Sequence, residues 1–156
     1  MPVSIDRFSN SVPALIAWID NKLTSATSAI YRDRYGIGVN GRRILLELSR
    51  QNDVSIGNLS EIIGTDKGTI SRTTTQLEYL KLVEVHVNQR DKRLKVIGIT
   101  AKGRALTKRI NKLAGKRDDY LNGLFTKEEL VQLTALLTRL HEHTPMIARY
   151  NPEDID

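Results

Sequence analysis

Short hydroxyl side chains and one guanidinium are concentrated between residues 67 and 76. This segment, KGTISRTTTQ, holds threonines at positions 69, 73, 74 and 75, although threonine is a weak helix former. Arginine can bond two guanine acceptors at once, and hydroxyl side chains can reach bases or phosphates. The segment therefore predicts a helix that reads the major groove of double-stranded DNA; a plain exposed helix of a bundle is the alternative. The candidate DNA-binding residues here are Lys67, Thr69, Ser71, Arg72, Thr75 and Gln76.

A second basic cluster lies in the turn-like segment QRDKR, where Arg90, Lys92 and Arg93 surround Asp91. An exposed basic loop can contact phosphates without sequence preference. An arginine projected from a narrow hairpin can instead enter the minor groove, where the negative potential of A-tracts is strongest. Asp91 is then a wing-supporting residue that could orient an arginine through a charge-assisted bond. The alternative is an ordinary hydrophilic turn.

Other reactive side chains do not form a catalytic or metal-binding pattern. His141 and His143 are two residues apart on a predicted helix, so their rings point about 200° apart and do not easily share a metal ion. His86, on a predicted strand, is interpreted as a surface or phosphate-adjacent group. The chain has no cysteine, which excludes disulfides, thiolate metal sites and cysteine nucleophiles. We therefore expect no enzyme activity, no cofactor and no bound metal.

The charge of the chain is distributed unevenly. Of its 156 residues, 40% are hydrophobic and 27% are charged, and the formal net charge is +6. Residues 66–117 hold fourteen Lys or Arg against four Asp or Glu, whereas residues 118–156 hold three against eight. A concentrated basic block is typical of a protein that binds a phosphate-rich partner. An interaction module that binds an acidic protein is the alternative.

No apolar run approaches the length of a membrane span, so no membrane partner is expected. The first twenty residues contain one early basic residue, Arg7, and no continuous apolar core. We therefore expect no secretory signal and a cytoplasmic protein.

Hydrophobic periodicity predicts six helices and one hairpin. In the first helix, apolar residues recur from Val12 to Ile30 in steps of three and four, which indicates one apolar face. In the third helix we expect Ile56, Leu59, Ile62 and Ile63 to face inward, and in the fifth a heptad-like seam runs from Leu106 to Leu124. The predicted helices are 11–35, 40–50, 55–63, from 65 or 66 to about 80, 101–124, and one that begins with the capping box at Thr126 and ends at Pro145.

Alternation of apolar and polar residues replaces the helical period after residue 82. Val83, Val85 and Val87 alternate with polar residues, and Leu94 to Ile99 is a second β-prone run. Together they predict a hairpin with a basic tip. Two short helices joined by the turn at Gly64, followed by this hairpin, form a winged helix-turn-helix layout.

At these residues the chain resembles the MarR (multiple antibiotic resistance regulator) family of transcription regulators. The segment DKRLKVIGITAKG, residues 91–103, resembles the family's wing pattern, and LSEIIG at 59–64 with TISR at 69–72 resembles its helix-turn-helix. The family usually has glycine before the Leu-Val that opens the wing strand, and often a proline before the wing aspartate. Here Lys81 takes the glycine position, so we expect a strained or differently built turn.

The resemblance implies a mainly α protein with a small β-hairpin wing and long N- and C-terminal dimerisation helices. Residues 1–35 and 101–156 would form the helical dimerisation region, and residues 36–100 the winged helix-turn-helix DNA-binding region. A homodimer places its recognition helices about 34 Å apart, so a pseudo-palindromic operator is expected. The resemblance further implies a repressor and a small aromatic or phenolic effector, whose expected cleft lies near Trp18, Tyr31, Arg32, Arg34, Tyr35 and Arg42; no ligand-binding residue is assigned.

Overall fold

The computed structural model describes residues 11–89, 91–147 and 149–150. The chain divides into two compact units, the first ending at Arg109 and the second beginning at Ile110. Six helices and three strands occur in the described residues, which confirms the mainly α class. In chain order these are α1 Val12–Tyr35, α2 Val39–Arg50, β1 Val54–Ser55, α3 Ile56–Ile63, α4 Lys67–Tyr79, β2 Val83–Val87, β3 Lys95–Ile99, α5 Ala101–Asn122 and α6 Lys127–Ile147.

Capping residues set the bounds of the helix-turn-helix, α3 and α4. The Ser55 hydroxyl accepts a hydrogen bond from the Asn58 N–H at 3.1 Å, which confirms the predicted N-cap of α3. Gly64, at φ +69°, ends α3 in the left-handed region that favours glycine. Asp66 then caps α4. The core of the first unit includes the fully buried side chains of Ile37, Ile44, Leu45, Leu48, Leu59, Ile70, Leu77 and Ile97.

One predicted core residue of α3 is on the surface. Ile62 is 44% exposed, so the expectation that it faces inward is wrong. Because α3 has only eight residues, a single buried position, Leu59, satisfies its inner face. Its neighbour Ile63 is half-buried.

The sheet has three antiparallel strands rather than the predicted two. β3 lies in the middle, between β1 and β2, and Val54 is opposite Ile97. On the other side of β3, Val83 pairs with Ile99 and Val87 with Lys95, which confirms the hairpin. β1 has two residues, too few to show an alternating pattern in the sequence.

The turn between α4 and β2 is built as a Schellman motif with a lysine in the glycine position. The Lys81 N–H donates to the Glu78 carbonyl at 2.8 Å, and the Leu82 N–H donates to the Leu77 carbonyl at 2.9 Å. Lys81 has φ +58°, in the left-handed region that costs a side chain with a Cβ about 1–2 kcal/mol. The expected strained turn is therefore confirmed.

The start of α5 packs tightly against this turn. The Thr100 hydroxyl accepts from the Gly103 N–H at 3.0 Å, which makes Thr100 the N-cap of α5, and it donates to the Lys81 and Leu82 carbonyls. A Cβ on Gly103 would lie 2.1 Å from the Leu82 carbonyl oxygen. Glycine is therefore required at position 103 by close backbone approach.

The apolar stripe of α1 is largely uncovered within the chain. Tyr31 near its C-terminal end is buried and Leu23 is half-buried, but most of the large apolar residues before Tyr31 are exposed. An isolated molecule would carry this apolar surface in contact with water. The exposed large apolar residues of α1 are Val12, Leu15, Ile16, Trp18, Ile19 and Ile30.

The second unit contains the rest of α5 and all of α6. The Thr126 N–H donates to the Glu129 carboxylate at 2.8 Å, and the Glu129 N–H donates to the Thr126 hydroxyl at 3.2 Å, which confirms the capping box. In the predicted α5 seam Ile110 is buried, but Tyr120 is exposed and the helix ends at Asn122, before Leu124. None of the described α6 residues is buried.

The predicted end of α6 is wrong, because the helix continues through Pro145 to Ile147. Proline removes one N–H and crowds the carbonyl four residues earlier. At this site only Met146 and Ile147 follow in the helix. Both are exposed, so water can reach the carbonyl whose N–H partner the proline removes. None of the helices in the described part of the chain has the length and apolar content that a bilayer span requires.

Candidate nucleic-acid interface

The first turn of α4 is fixed by Asp66. Its carboxylate accepts from the Thr69 N–H at 2.8 Å. Hydrogen bonds from the Thr69 hydroxyl and the Thr69 backbone hold the pKa of Asp66 below its ordinary value, with a smaller contribution from the charge of Arg72. Gly68 leaves room for this arrangement, since a Cβ there would lie 3.2 Å from the Asp66 carboxylate and 3.5 Å from the Arg72 guanidinium.

The predicted reading residues lie on the outer side of α4. Ile70, Thr74 and Leu77 are buried on its inner side. The Arg72 guanidinium donates to the Thr69 hydroxyl at 3.0 Å, which restrains its orientation while leaving other donors available. The residues that remain exposed on this helix include Lys67, Gly68, Ser71, Arg72, Thr75 and Gln76; Thr69 is half-buried.

Gln76 is already engaged within the chain. Its side-chain N–H donates to the Gly36 carbonyl at 2.9 Å and ties α4 to the end of α1. Its Oε1 acceptor is not used in this bond. Gln76 therefore joins α4 to the C-terminal end of α1, in addition to any DNA contact.

The tip of the wing is held by backbone contacts. The Asn88 N–H donates to the Leu94 carbonyl at 2.8 Å, and the Asp91 carboxylate accepts from the Arg93 backbone N–H at 3.0 Å. Asp91 thus supports the tip through the backbone of Arg93 and not through its guanidinium. Lys92 and Arg93 are exposed. Arg90 lies outside the described residues.

The reading helix and the wing border one groove. A cavity of about 430 Å³ lies between α4 and strands β2 and β3. Ser71 and Thr75 line it from the helix, and His86 and Lys95 line it from the wing. Lys95 is not among the DNA-binding residues predicted from the sequence, and its pairing with Val87 places it at the groove. Hydroxyl and cationic groups thus converge on one concave surface.

Metal chemistry has no support in this region. In the parts of the chain that the structure describes, no three His, Asp or Glu side chains are grouped as metal ligands would be. The groove instead presents hydrogen-bond donors and cations on a helix and a hairpin, which suits the edges and phosphates of a duplex.

Comparison with known proteins identifies the family. A sequence model described as MarR family matches residues 35–94. A MarR/EmrR family transcriptional regulator from Acinetobacter sp. ADP1 is 34% identical, with a TM-score of 0.80, over 92% of this chain and 99% of that one. A comparison with curated proteins found no significant match.

Two further solved structures share the fold at 21% identity and a TM-score of 0.74. One is Bordetella bronchiseptica BpsR, described with regulation of its DNA binding by 6-hydroxynicotinic acid, over 86% of this chain and 95% of that one. The other is a complex of S. aureus MepR with DNA, over 85% of this chain and 97% of that one. On the family model and the 34% identical relative, the chain belongs to the MarR family of transcriptional regulators.

Proposed function

We propose that this protein is a homodimeric repressor that binds a pseudo-palindromic operator in double-stranded DNA. In this proposal residues 36–100 read the DNA, and residues 1–35 and 101–156 form the dimer. The observation that carries it is the exposed outer side of α4, where Arg72 is held by Thr69 beside a basic wing. The S. aureus relative solved with DNA shares this fold.

The roles of Arg72 and Arg93 can be tested separately. Arg72→Ala is expected to relax base preference, and Arg93→Ala to weaken binding by about 1–3 kcal/mol. Fluorescence anisotropy with duplexes selected from a random pool measures both. Arg139→Ala, on the exposed surface of α6, is the matched control and removes the same charge. Unchanged affinity and preference for Arg72→Ala would contradict the proposed reading helix.

Exposed apolar surface supports the homodimer. The stripe of α1 and that of α6, which includes Leu136 and Leu137, are too extensive for an isolated soluble chain. Leu136→Asp is expected to shift the protein toward monomer in sedimentation velocity, whereas Gln132→Asp, also exposed on α6, is expected to leave the mass unchanged. A monomeric wild-type protein at micromolar concentration would refute the dimer.

A small aromatic or phenolic effector completes the proposal. A cleft of about 290 Å³ in the first unit is floored by leucines and bordered by Lys102 and Arg109, and the Arg109 guanidinium lies 5.8 Å from the centre of the Tyr35 ring. Apolar walls with nearby cations suit a small planar anion. The DNA binding of the Bordetella relative is regulated by such an acid. Release of a bound duplex by 6-hydroxynicotinate or salicylate, followed by anisotropy, tests this part.

The alternative is an interaction module whose basic surface binds an acidic protein. A salt titration of duplex binding distinguishes it from the DNA-binding proposal. For specific DNA binding, the logarithm of affinity falls with that of salt concentration, with a slope of about −0.9 per phosphate neutralised. A protein whose basic surface serves an acidic protein partner would not select a two-fold symmetric sequence from random duplexes. A symmetric consensus would also establish the dimer on DNA. Repression is tested by mapping the operator relative to a promoter and measuring expression of a reporter.

A further inference from the structure

We propose that an ion pair between Asp53 and His86 positions the wing and makes its order, and with it DNA binding, sensitive to pH. The His86 imidazole Nε2 lies 2.9 Å from the Asp53 carboxylate Oδ1. Asp53 belongs to the loop before β1, and His86 to the outer strand β2. This inference rests on the proposed DNA-binding role of the wing.

The pair reaches across the full width of the sheet. Because β1 and β2 each pair with β3, they are separated by two strand spacings, about 10 Å. The middle strand has a glycine at the crossing point. A Cβ on Gly98 would lie 3.1 Å from His86 Cε1 and 3.4 Å from Asp53 Oδ1. Glycine is unfavourable inside a strand, and here its missing side chain provides the space in which the pair forms.

The loop that holds Asp53 is anchored on both sides of the pair. Asp53 has φ +60°, a left-handed conformation that is costly for a residue with a side chain. The preceding residue, Asn52, accepts a hydrogen bond from the Arg104 guanidinium of α5. The strained conformation aims the Asp53 carboxylate over the sheet, and the bond to Arg104 fixes the loop. Asp53 is therefore positioned to support β2 through its contact with His86.

The outer half of the hairpin is held by backbone pairing and turn contacts more than by apolar packing. Val87 is 51% exposed and Leu94 is 48% exposed, so these rungs bury little apolar surface. On the α4 side the groove of about 430 Å³ separates the wing from the reading helix. The rung that joins Asn88 to Leu94 lies two residues, or about 7 Å, beyond His86. A change in the tilt of β2 at His86 therefore displaces the hairpin tip that holds Lys92 and Arg93.

Protonation of His86 determines the strength of the pair. Histidine gains its charge between about pH 8 and pH 5, and the charged ring is then attracted to Asp53. Glu84, on the same strand and the same face as His86, is a charged group beside the pair. Glu78 on α4 and Lys95 on β3 line the groove on the other face of the sheet. The two side chains of the pair are 39% and 52% exposed, and exposed ion pairs of this kind change an equilibrium by about 1.4- to fivefold.

The experiment follows wing order in the free protein and affinity for DNA across the same pH range. The variants are His86→Gln and Asp53→Asn, with His141→Gln as the control that removes an imidazole from α6. Asparagine tolerates the left-handed conformation of residue 53 and can still accept a hydrogen bond, so this variant removes the charge with little risk to folding. Amide exchange of Asn88, corrected for intrinsic rates, reports wing order between pH 5.5 and 8.5. Anisotropy with a duplex selected from a random pool reports affinity at constant salt.

For the wild type and His141→Gln we expect protection of the Asn88 amide to be about 1.4- to fivefold higher at pH 5.5 than at pH 8.5. Affinity should change in the same direction, and a dimer with two wings multiplies the effect to about 2- to 25-fold. Both trends should be lost in His86→Gln and in Asp53→Asn. Gly98→Ala should reproduce the loss, because its Cβ displaces the imidazole without replacing either partner.

Two results overturn the proposal. A pH trend that survives in Asp53→Asn but not in His86→Gln would mean that the imidazole contacts phosphate directly. A trend that survives in both variants would mean that another group is responsible. If Asn88 protection follows the expected pattern but no duplex is bound at any pH, the ion pair orders the wing and the proposed DNA-binding function fails.

Discussion

Replacing Lys81 by glycine is expected to stabilise the protein, although the substitution removes a side chain. Lys81 occupies the left-handed position that ends α4, at φ +58°. Relief of this conformation raises the free energy of unfolding by about 1–2 kcal/mol. The extra conformational entropy of glycine in the unfolded chain lowers it by about 0.5–1 kcal/mol. The net expected gain in the free energy of unfolding is therefore about 0.5–1 kcal/mol. The two hydrogen bonds of the turn involve only backbone groups and are retained.

Urea unfolding at fixed protein concentration measures this gain. With a slope of about 2 kcal/mol per molar urea, the midpoint should rise by about 0.3–0.5 M. Lys81→Ala is the matched control, because it removes the same charge from the basic block but keeps a Cβ in the left-handed region. We expect no stabilisation from Lys81→Ala. Equal midpoints for the glycine and alanine variants would refute the backbone argument and point to the charge.

Three further substitutions test the packing and caps. Gly103→Ala is expected to lower the free energy of unfolding by about 3 kcal/mol or to prevent folding, since its Cβ would lie 2.1 Å from the Leu82 carbonyl oxygen. The control is Gly115→Ala in the same helix, whose Cβ meets nothing within 4 Å and which should stabilise by about 0.5–1 kcal/mol in the same urea assay. Asp66→Ala should destabilise at pH 7; because the folded pKa of Asp66 is lowered, this difference should shrink as pH falls below about 4, and a constant difference down to pH 3 would contradict the charged cap. Thr126→Ala should lower the urea midpoint by an amount equivalent to about 1 kcal/mol, with Thr134→Ala, an exposed site within α6, as the control.

The helices of the first unit were predictable because periodicity and caps agree. Ser55 and Gly64 mark the bounds of α3 in the sequence and act as predicted. The sequence left the start of α4 at residue 65 or 66, and Asp66 is the cap. The outward placement of Ser71 and Arg72 follows from the burial of Ile70 and Leu77 on the opposite side of one helix. The strained turn was also visible, since a lysine stands where a left-handed conformation is needed.

Features that depend on long-range pairing were not predictable. β1 has two residues, and it exists because Val54 and Ser55 pair with β3 more than forty positions later. Without β1, the contact of Asp53 with His86 across Gly98 has no signal in the sequence. The exposure of Ile62 likewise depends on which neighbouring elements reach α3. The continuation of α6 through Pro145 depends on access of water to the helix end.

The exposed apolar residues of α6 are distinct from the residues that form the chain's own core, and this has an evolutionary consequence. None of the described residues of α6 is buried by its own chain, whereas Ile70 and Leu77 are fully enclosed. In the proposed homodimer, substitutions along α6 after gene duplication would therefore alter which copies associate without disturbing the packing behind α4. Related regulators in one cell could in this way avoid mixed assemblies while keeping the same recognition residues.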